Sequence, residues 1–193
     1  MQPFLITGLP RSRTAWMAHF FTVPGVWCEH EPSYHFTHLN DLEAFYARGA
    51  GHGMRVGASD HGLGWWLPEI IRKHGAKVLL IERDIHDVNA DLIRLGLKDG
   101  ALDYLRELRR RENLMRAHPN VLCVPYSKID EPGRMERAWF HCLPGVPFDE
   151  ARFQYMRRFN IQLTGDWINH LLARNKPSIF DQCAQYLKEH QHA

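Results

Sequence analysis

Arg11-Ser12-Arg13-Thr14 puts two guanidinium groups and two hydroxyls directly after Pro10, and the apolar run Phe4-Leu-Ile-Thr-Gly8 stands just before them. Cations and hydroxyls at that spacing suit an anion. A helix start leaves backbone N–H groups unpaired and carries the positive end of the macrodipole, so a strand, loop and helix here would hold phosphate or sulfate without a metal. The same residues would also serve as an ordinary helix cap with surface charge, since Ser and Thr are preferred caps. The Walker form of such a loop asks for a second glycine followed by Lys and Ser or Thr, where this chain has Arg13-Thr14-Ala15. An ordinary nucleoside triphosphatase loop is therefore disfavoured.

Polar groups gather at two further points. Val26-Trp27-Cys28 reads as a short strand that leads into Glu29-His30-Glu31-Pro32, so acid and imidazole side chains emerge at a strand end. Lys77-Val-Leu-Leu-Ile-Glu82 is the clearest central strand, and Arg83 and Asp84 follow it. A salt bridge to Asp84 or Asp87 would satisfy Arg83, as would an anionic ligand. His61, after Ser59-Asp60, is one of thirteen histidines.

The elements that must position these groups alternate. A helix is expected from Thr14 to Thr22, stopped by Pro24-Gly25, and another from Asn40 or Asp41 through Arg48. Gly49-Ala-Gly-His-Gly53 reads as a flexible connection, Met54 to Ala58 as a short apolar piece, and His61 to His74 as helical. After the Lys77 strand come a helix towards Leu95, a break at Gly96, and a long amphipathic helix from Asp99 to about Ala117. Asn120-Val-Leu-Cys-Val124 reads as a buried strand, and the remainder as mostly helical with breaks near Pro132-Gly133, Pro144 to Pro147 and Pro177. Strands alternating with helices give an α/β class: three layers, α/β/α, around a central parallel sheet, with ligands beyond the carboxyl ends of the strands.

The 193 residues suit one domain over residues 1–193, with 45% hydrophobic and 24% charged residues as in ordinary globules. No twenty-residue apolar run or secretory leader is present, so a cytoplasmic protein without membrane contact is expected. Cys28, Cys123, Cys142 and Cys183 form no CxxC pair and read as buried thiols. The net charge of +2 gives no nucleic-acid signal. Arg106, Arg109, Arg110, Arg111 and Arg116 nevertheless concentrate charge in one segment, either as a solvated helix face paired with Glu107 and Glu112 or as a polyanion surface. Trp16, Trp65, Trp66, Trp139 and Trp167 read as core or interface.

Four segments together resemble the P-loop sulfotransferases, which move a sulfuryl group from 3′-phosphoadenosine 5′-phosphosulfate (PAPS) to a hydroxyl or amine. Pro10-Arg-Ser-Arg-Thr-Ala-Trp16 is similar to the family's phosphosulfate loop P-[KR]-S-G-T-[TS]-W, with Arg13 in place of its glycine. Val78 to Val88 looks like the strand and helix start of the 3′-phosphate site: Arg83, Asp87 and Val88 match. Asp91 stands where the family has a serine, eight residues after the arginine, and an aspartate would repel a 3′-phosphate that a hydroxyl would bind. Val121 to Ile129 resembles a hydrophobic run followed by Y-E-D-L, through Tyr126 and the apolar positions. Gly165-Asp-Trp-Ile-Asn-His170 is close to the family's G-D-W-K-N-H. The R-K-G that precedes that stretch is replaced by Asn160-Ile161-Gln162, with Arg157 and Arg158 just upstream.

The resemblance implies a P-loop NTPase-like fold and a sulfuryl transfer that uses PAPS, releases 3′-phosphoadenosine 5′-phosphate (PAP) and needs no metal. It also implies an acceptor, small molecule or polymer, that bears a hydroxyl or amine. Donor binding would fall to Pro10, Arg11, Ser12, Arg13, Thr14, Ala15, Trp16, Arg83, Asp91, Arg157 and Arg158, with Arg11 forking two donors onto one oxyanion. The catalytic residues would be Glu31, His30 and Arg11, with the base coming from Glu31 or His30 in the Glu29-His30-Glu31 segment and His61 as a second candidate. A nucleotide or nucleoside kinase of related fold is the rival enzyme, with Leu79 to Asp84 as a Walker-B-like strand. A non-catalytic binding module is the third reading.

Overall fold

A computed structural model of the chain describes residues 2–96 and 101–159. Five strands form one sheet: β1 (Phe4–Gly8), β2 (Val26–His30), β3 (Arg55–Ser59), β4 (Lys77–Glu82) and β5 (Val121–Pro125). Their spatial order is β2-β3-β1-β4-β5, and every neighbouring pair is parallel. Parallel pairing needs a crossover between successive strands. These are α1 (Thr14–Phe21), α2 (Asn40–Gly51), α3 (Leu67–His74) and, between β4 and β5, α4 (Ile85–Arg94) with α5 (Ala101–Met115). Helices α6 (Pro132–Cys142) and α7 (Glu150–Met156) follow the last strand.

All five residues of β1 are buried, as expected of a strand with β3 on one side, β4 on the other and helices on both faces. Successive side chains of a strand point to opposite faces, and the core divides accordingly. Phe4, Ile6, Leu79 and Ile81 pack with Trp16, Phe20 and Phe21 of α1 and with Trp139 of α6. Leu5, Val56, Ala58 and Val78 pack with Phe45 of α2 and with Ile70 and Ile71 of α3. The expected three-layer α/β/α arrangement follows.

The structure corrects several local readings. Helix α2 runs through Gly49 to Gly51 instead of ending at Arg48. A Cβ at Gly49 would overlap the Val56 side chain, so this glycine lets the helix lie close on β3 and is not a flexible joint. The turn comes later, at Gly53, with φ of 69°. The helix expected over 61–74 is a 3-10 segment, Gly62–Trp66, followed by α3. Pro68 lies in the first turn of α3, where its missing N–H costs nothing. Strand β5 lies at the sheet edge and is only half-buried, with Val124 its one buried residue. Strand β2 extends to His30 and delivers Glu31 to the carboxyl edge.

Candidate functional site

The loop between β1 and α1 has an unusual backbone. Arg11 and Arg13 adopt positive φ, 67° and 62°, while Ser12 between them does not. A left-handed residue with a Cβ costs about 1–2 kcal/mol, so a strained pair is held by its surroundings. Alternation of this kind turns successive N–H groups into one concavity, the form of an anion nest. Among the described residues, the N–H groups of residues 12–16 have no acceptor, and no side chain caps α1. Ser12 is fully buried, and its Oγ has no hydrogen-bond partner among the described residues. Gly8 closes the strand against β4, since a Cβ there would overlap the Ile81 carbonyl oxygen.

Arg13 occupies the position where the resembling loop has glycine, and it retains the backbone that glycine favours. Its guanidinium is drawn to Asp130 (Nη1 to Oδ1, 2.8 Å) and lies 4.8 Å from the Trp16 ring centroid. Arg13→Ala would lose both contacts and keep the strain, whereas Arg13→Gly would lose the contacts and relieve it. The glycine variant should therefore melt about 2–4 °C above the alanine variant, corresponding to ~1 kcal/mol for the left-handed residue. Equal melting temperatures in thermal denaturation would refute the strain.

The sheet order places different chemistry on each side of this loop. On the β3 and β2 side, Ser59 donates from Oγ to the Thr14 carbonyl at 2.8 Å, fixing the start of α1. Thr14 Oγ1 lies 3.3 Å from His30 Nε2, which in turn lies 3.5 Å from Glu31 Oε1. Glu31 Oε1 pairs with His61 Nδ1 at 2.9 Å, and Glu31 itself has φ of 50°. Asp60, fully buried, accepts from the Ser33 and Leu63 N–H groups at 2.8 and 3.1 Å. It orders the turns on either side of this group. His30, Glu31 and His61 are thus brought together, while Glu29 takes no part.

Their electrostatics separate their roles. Burial alone would raise Glu31, but the hydrogen bond from His61, both histidines' charges and a Tyr34 hydrogen bond leave it below the usual carboxylate range. Burial pulls His61 down, yet its bond to Glu31 and the charges of Glu31 and Asp60 leave it raised. His30 is lowered, because burial outweighs the pull of Glu31 and Asp60. Glu31 and His61 therefore form a hydrogen-bonded pair that favours a proton on His61, and His30, lowered, is the imidazole that favours its neutral form beside the loop.

On the β4 and β5 side, Arg83 donates from Nη1 to the Arg11 carbonyl at 2.8 Å and from Nη2 to Asp91 Oδ2 at 2.6 Å. Its guanidinium carbon lies 4.5 Å from the Tyr126 ring centroid. Asp91 also pairs with Arg94 through Oδ1. Arg11, half-buried, sits among these charges: burial lowers it most, opposed by Asp91. Arg157 reaches the Asp130 carbonyl at 3.3 Å, beside Arg13. Arg158 sits in the turn after α7, exposed. Pro10 and Ala15 are half-buried in the loop and first helical turn.

Sequence reasoning missed Asp60, Asp130 and Arg94. A carboxylate two residues before a 3-10 segment is a turn signal that could have marked Asp60. Nothing local could have marked Asp130, which lies 117 residues from Arg13. The arginines of α5 behave as a paired face. Arg106 meets Asp103, Arg110 and Arg111 meet Glu107, and Arg109 donates to the Arg83 carbonyl, with Arg116 beyond the helix on Glu82. Trp16 and Trp139 are core, Trp65 is half-buried against Tyr104, and Trp66 lies outside the core at 48% exposed. Cys28 and Cys142 are buried free thiols and Cys123 is half-buried. Asn160-Ile161-Gln162, the Gly165 to His170 stretch with Trp167, Pro177 and Cys183 lie outside the described residues. Among the described residues, no group of three or more His, Cys, Asp or Glu could hold a metal, and no helix is long and apolar enough to cross a membrane.

No family model matches the sequence, and no curated protein matches it. Among solved structures, the fold is similar to mouse sulfotransferase SULT7A1 complexed with PAP, with a TM-score of 0.57 and 12% identity. The match covers 81% of this chain and 63% of the mouse chain, so this chain spans less than two thirds of that protein's length. The likeness establishes a sulfotransferase-like α/β fold.

Proposed function

We propose that the chain is a sulfotransferase-like enzyme that transfers a sulfuryl group from a nucleoside 5′-phosphosulfate to an acceptor hydroxyl or amine, PAPS being the donor the resemblance implies. The observation that carries the reading is the nest at residues 11–16, where among the described residues the N–H groups of residues 12–16 have no acceptor and the buried Ser12 hydroxyl has no partner. An oxyanion there would take the N–H donors and the Ser12 hydroxyl. The structural neighbour's bound PAP and the motif resemblance support the same ligand class.

Sulfuryl transfer, like phosphoryl transfer, passes through a loose transition state, so the protein's work is positioning and charge stabilisation. The acceptor oxygen forms the new bond to sulfur, the bond from sulfur to the phosphate oxygen breaks, and the hydroxyl proton goes to a base. His30 Nε2 suits that role better than Glu31. It is neutral near pH 7 and stands next to Thr14, whereas the Glu31 carboxylate is held by His61. Glu31 lies 3.5 Å from the same Nε2, and its charge favours the imidazolium once the proton has arrived.

Thermal shift is the test, because it needs no acceptor. Without added metal, PAPS or adenosine 5′-phosphosulfate at about 100 times its Kd should stabilise the protein by ~2.7 kcal/mol. Ser12→Ala should weaken that binding about tenfold or more, since hydrogen bonds to charged groups are worth ~1.5–3 kcal/mol. No shift with either phosphosulfate would sink the proposal. Stabilisation confined to magnesium and ATP, with ATP consumed, would favour the kinase reading. Donor binding without turnover across hydroxyl and amine acceptors would favour a binding module.

A further inference from the structure

The β4 side of the loop already contains an anion, built into the chain. Asp91 uses both carboxylate oxygens, Oδ2 on Arg83 and Oδ1 on Arg94. The Arg83 and Asp91 side chains are only 11% and 13% exposed, so this pair is enclosed and less screened than a surface ion pair. The other terminal nitrogen of Arg83 is given to the Arg11 carbonyl, and the Tyr126 ring lies beside the guanidinium. A phosphate is best gripped by an arginine fork of two parallel N–H donors. Here the two terminal nitrogens of that fork point one to a carboxylate and one to a backbone oxygen. A ligand phosphate arriving at Arg83 must displace Asp91 or sit against it as a like charge.

We propose that Asp91 takes the place of a ligand's 3′-phosphate at Arg83, so that this site selects a nucleoside 5′-phosphosulfate without a 3′-phosphate over its 3′-phosphorylated counterpart. The inference rests on the donor reading above and narrows it. The negative charge that holds Arg83 against the Arg11 carbonyl comes from α4, and the nest at residues 11–16 remains for the 5′ group. Specificity then comes from repulsion of the wrong ligand as much as from attraction of the right one.

Isothermal titration with adenosine 5′-phosphate and adenosine 3′,5′-bisphosphate tests this on the whole chain without activity as the readout. Wild type should bind the monophosphate at least as tightly as the bisphosphate. Asp91→Ser should shift the ratio of the two dissociation constants towards the bisphosphate by about tenfold or more, the monophosphate staying within about threefold. Asp91→Asn, which keeps the shape and removes the charge, should shift it in the same direction. Should both variants fail to melt cooperatively, the wild-type ratio decides. A wild-type preference for the bisphosphate of about tenfold or more overturns the inference and leaves the donor reading intact. An unmoved ratio in folded variants overturns it too. Failure of wild type and variants to bind either nucleotide overturns both.

Discussion

Trp16→Ala should lower the melting temperature by about 8–15 °C, the largest loss expected from any single change near the loop, taking ~2–4 °C per kcal/mol for a chain of this size. Trp16 is 1% exposed, stacks on Phe20 with ring centroids 4.9 Å apart and meets Phe153 edge-on at 6.3 Å. Truncating a buried tryptophan costs about 3–5 kcal/mol through lost transfer energy and the cavity left behind. A second cost follows, because the indole N–H donates to the Met156 carbonyl at 2.9 Å and that oxygen would be left without this donor. Trp16→Phe keeps much of the ring and loses the donor, so it should fall between wild type and alanine. The residue lies two positions beyond Thr14, so loosening it also loosens the start of α1 and should weaken anion binding. A drop under about 3 °C for the alanine variant, under 1 kcal/mol by the same scale, would show that Trp16 is not locked in the core.

Glu112→Gln should stabilise the protein at pH 8 and leave it nearly unchanged near pH 4.5. Glu112 is fully buried in α5, near Leu108, Gly64 and Thr7, and among the described residues neither carboxylate oxygen has a hydrogen-bond partner. Arg109 Nε stands 3.6 Å from Oε2, too far for a hydrogen bond. Burial is the main cause that pushes its pKa up to about 7, with the charge of Glu82 adding and Arg109 and Arg116 opposing. A carboxyl raised in the folded state binds more protons there than in the unfolded chain. Its contribution is therefore complete below the ordinary value of 4.5 and is lost as pH rises through about 7. A shift of that size corresponds to roughly 3 kcal/mol. Glutamine carries no charge at any pH, so the difference in melting temperature between variant and wild type should grow from pH 4.5 to pH 8 and then level off, reaching about 5–10 °C. His61, also raised, and the lowered carboxylates titrate in both proteins, and the difference removes them. Parallel pH profiles for the two proteins would refute the prediction.

Most of the layer architecture was legible because each strand and helix announces itself locally. The Phe4 run and the interior of the Lys77 run are almost wholly apolar, as strands covered on both faces must be, and β1 and β4 lie where they were read. Asp84, an acid just after the Lys77 strand, is the cap of α4, accepting from the His86 and Asp87 N–H groups, as a capping carboxylate at a helix start should. Gly49 was misread because a glycine needed for close approach looks the same in sequence as one needed for a turn.

The site divides along the same line. The sequence by itself determined the loop at residues 8–16, its cations and hydroxyls, its departures from the resembling pattern at Arg13 and Asp91, and the emergence of Glu29-His30-Glu31 at a strand end. Tertiary structure decided that Arg13 turns to Asp130, that Asp91 holds Arg83, and that His61 pairs with Glu31. The physical reason is range. Periodicity, capping and turn chemistry act over a few residues, whereas these partners are fixed by strand order, which brings β2 and β3 to one side of the loop and β4 and β5 to the other.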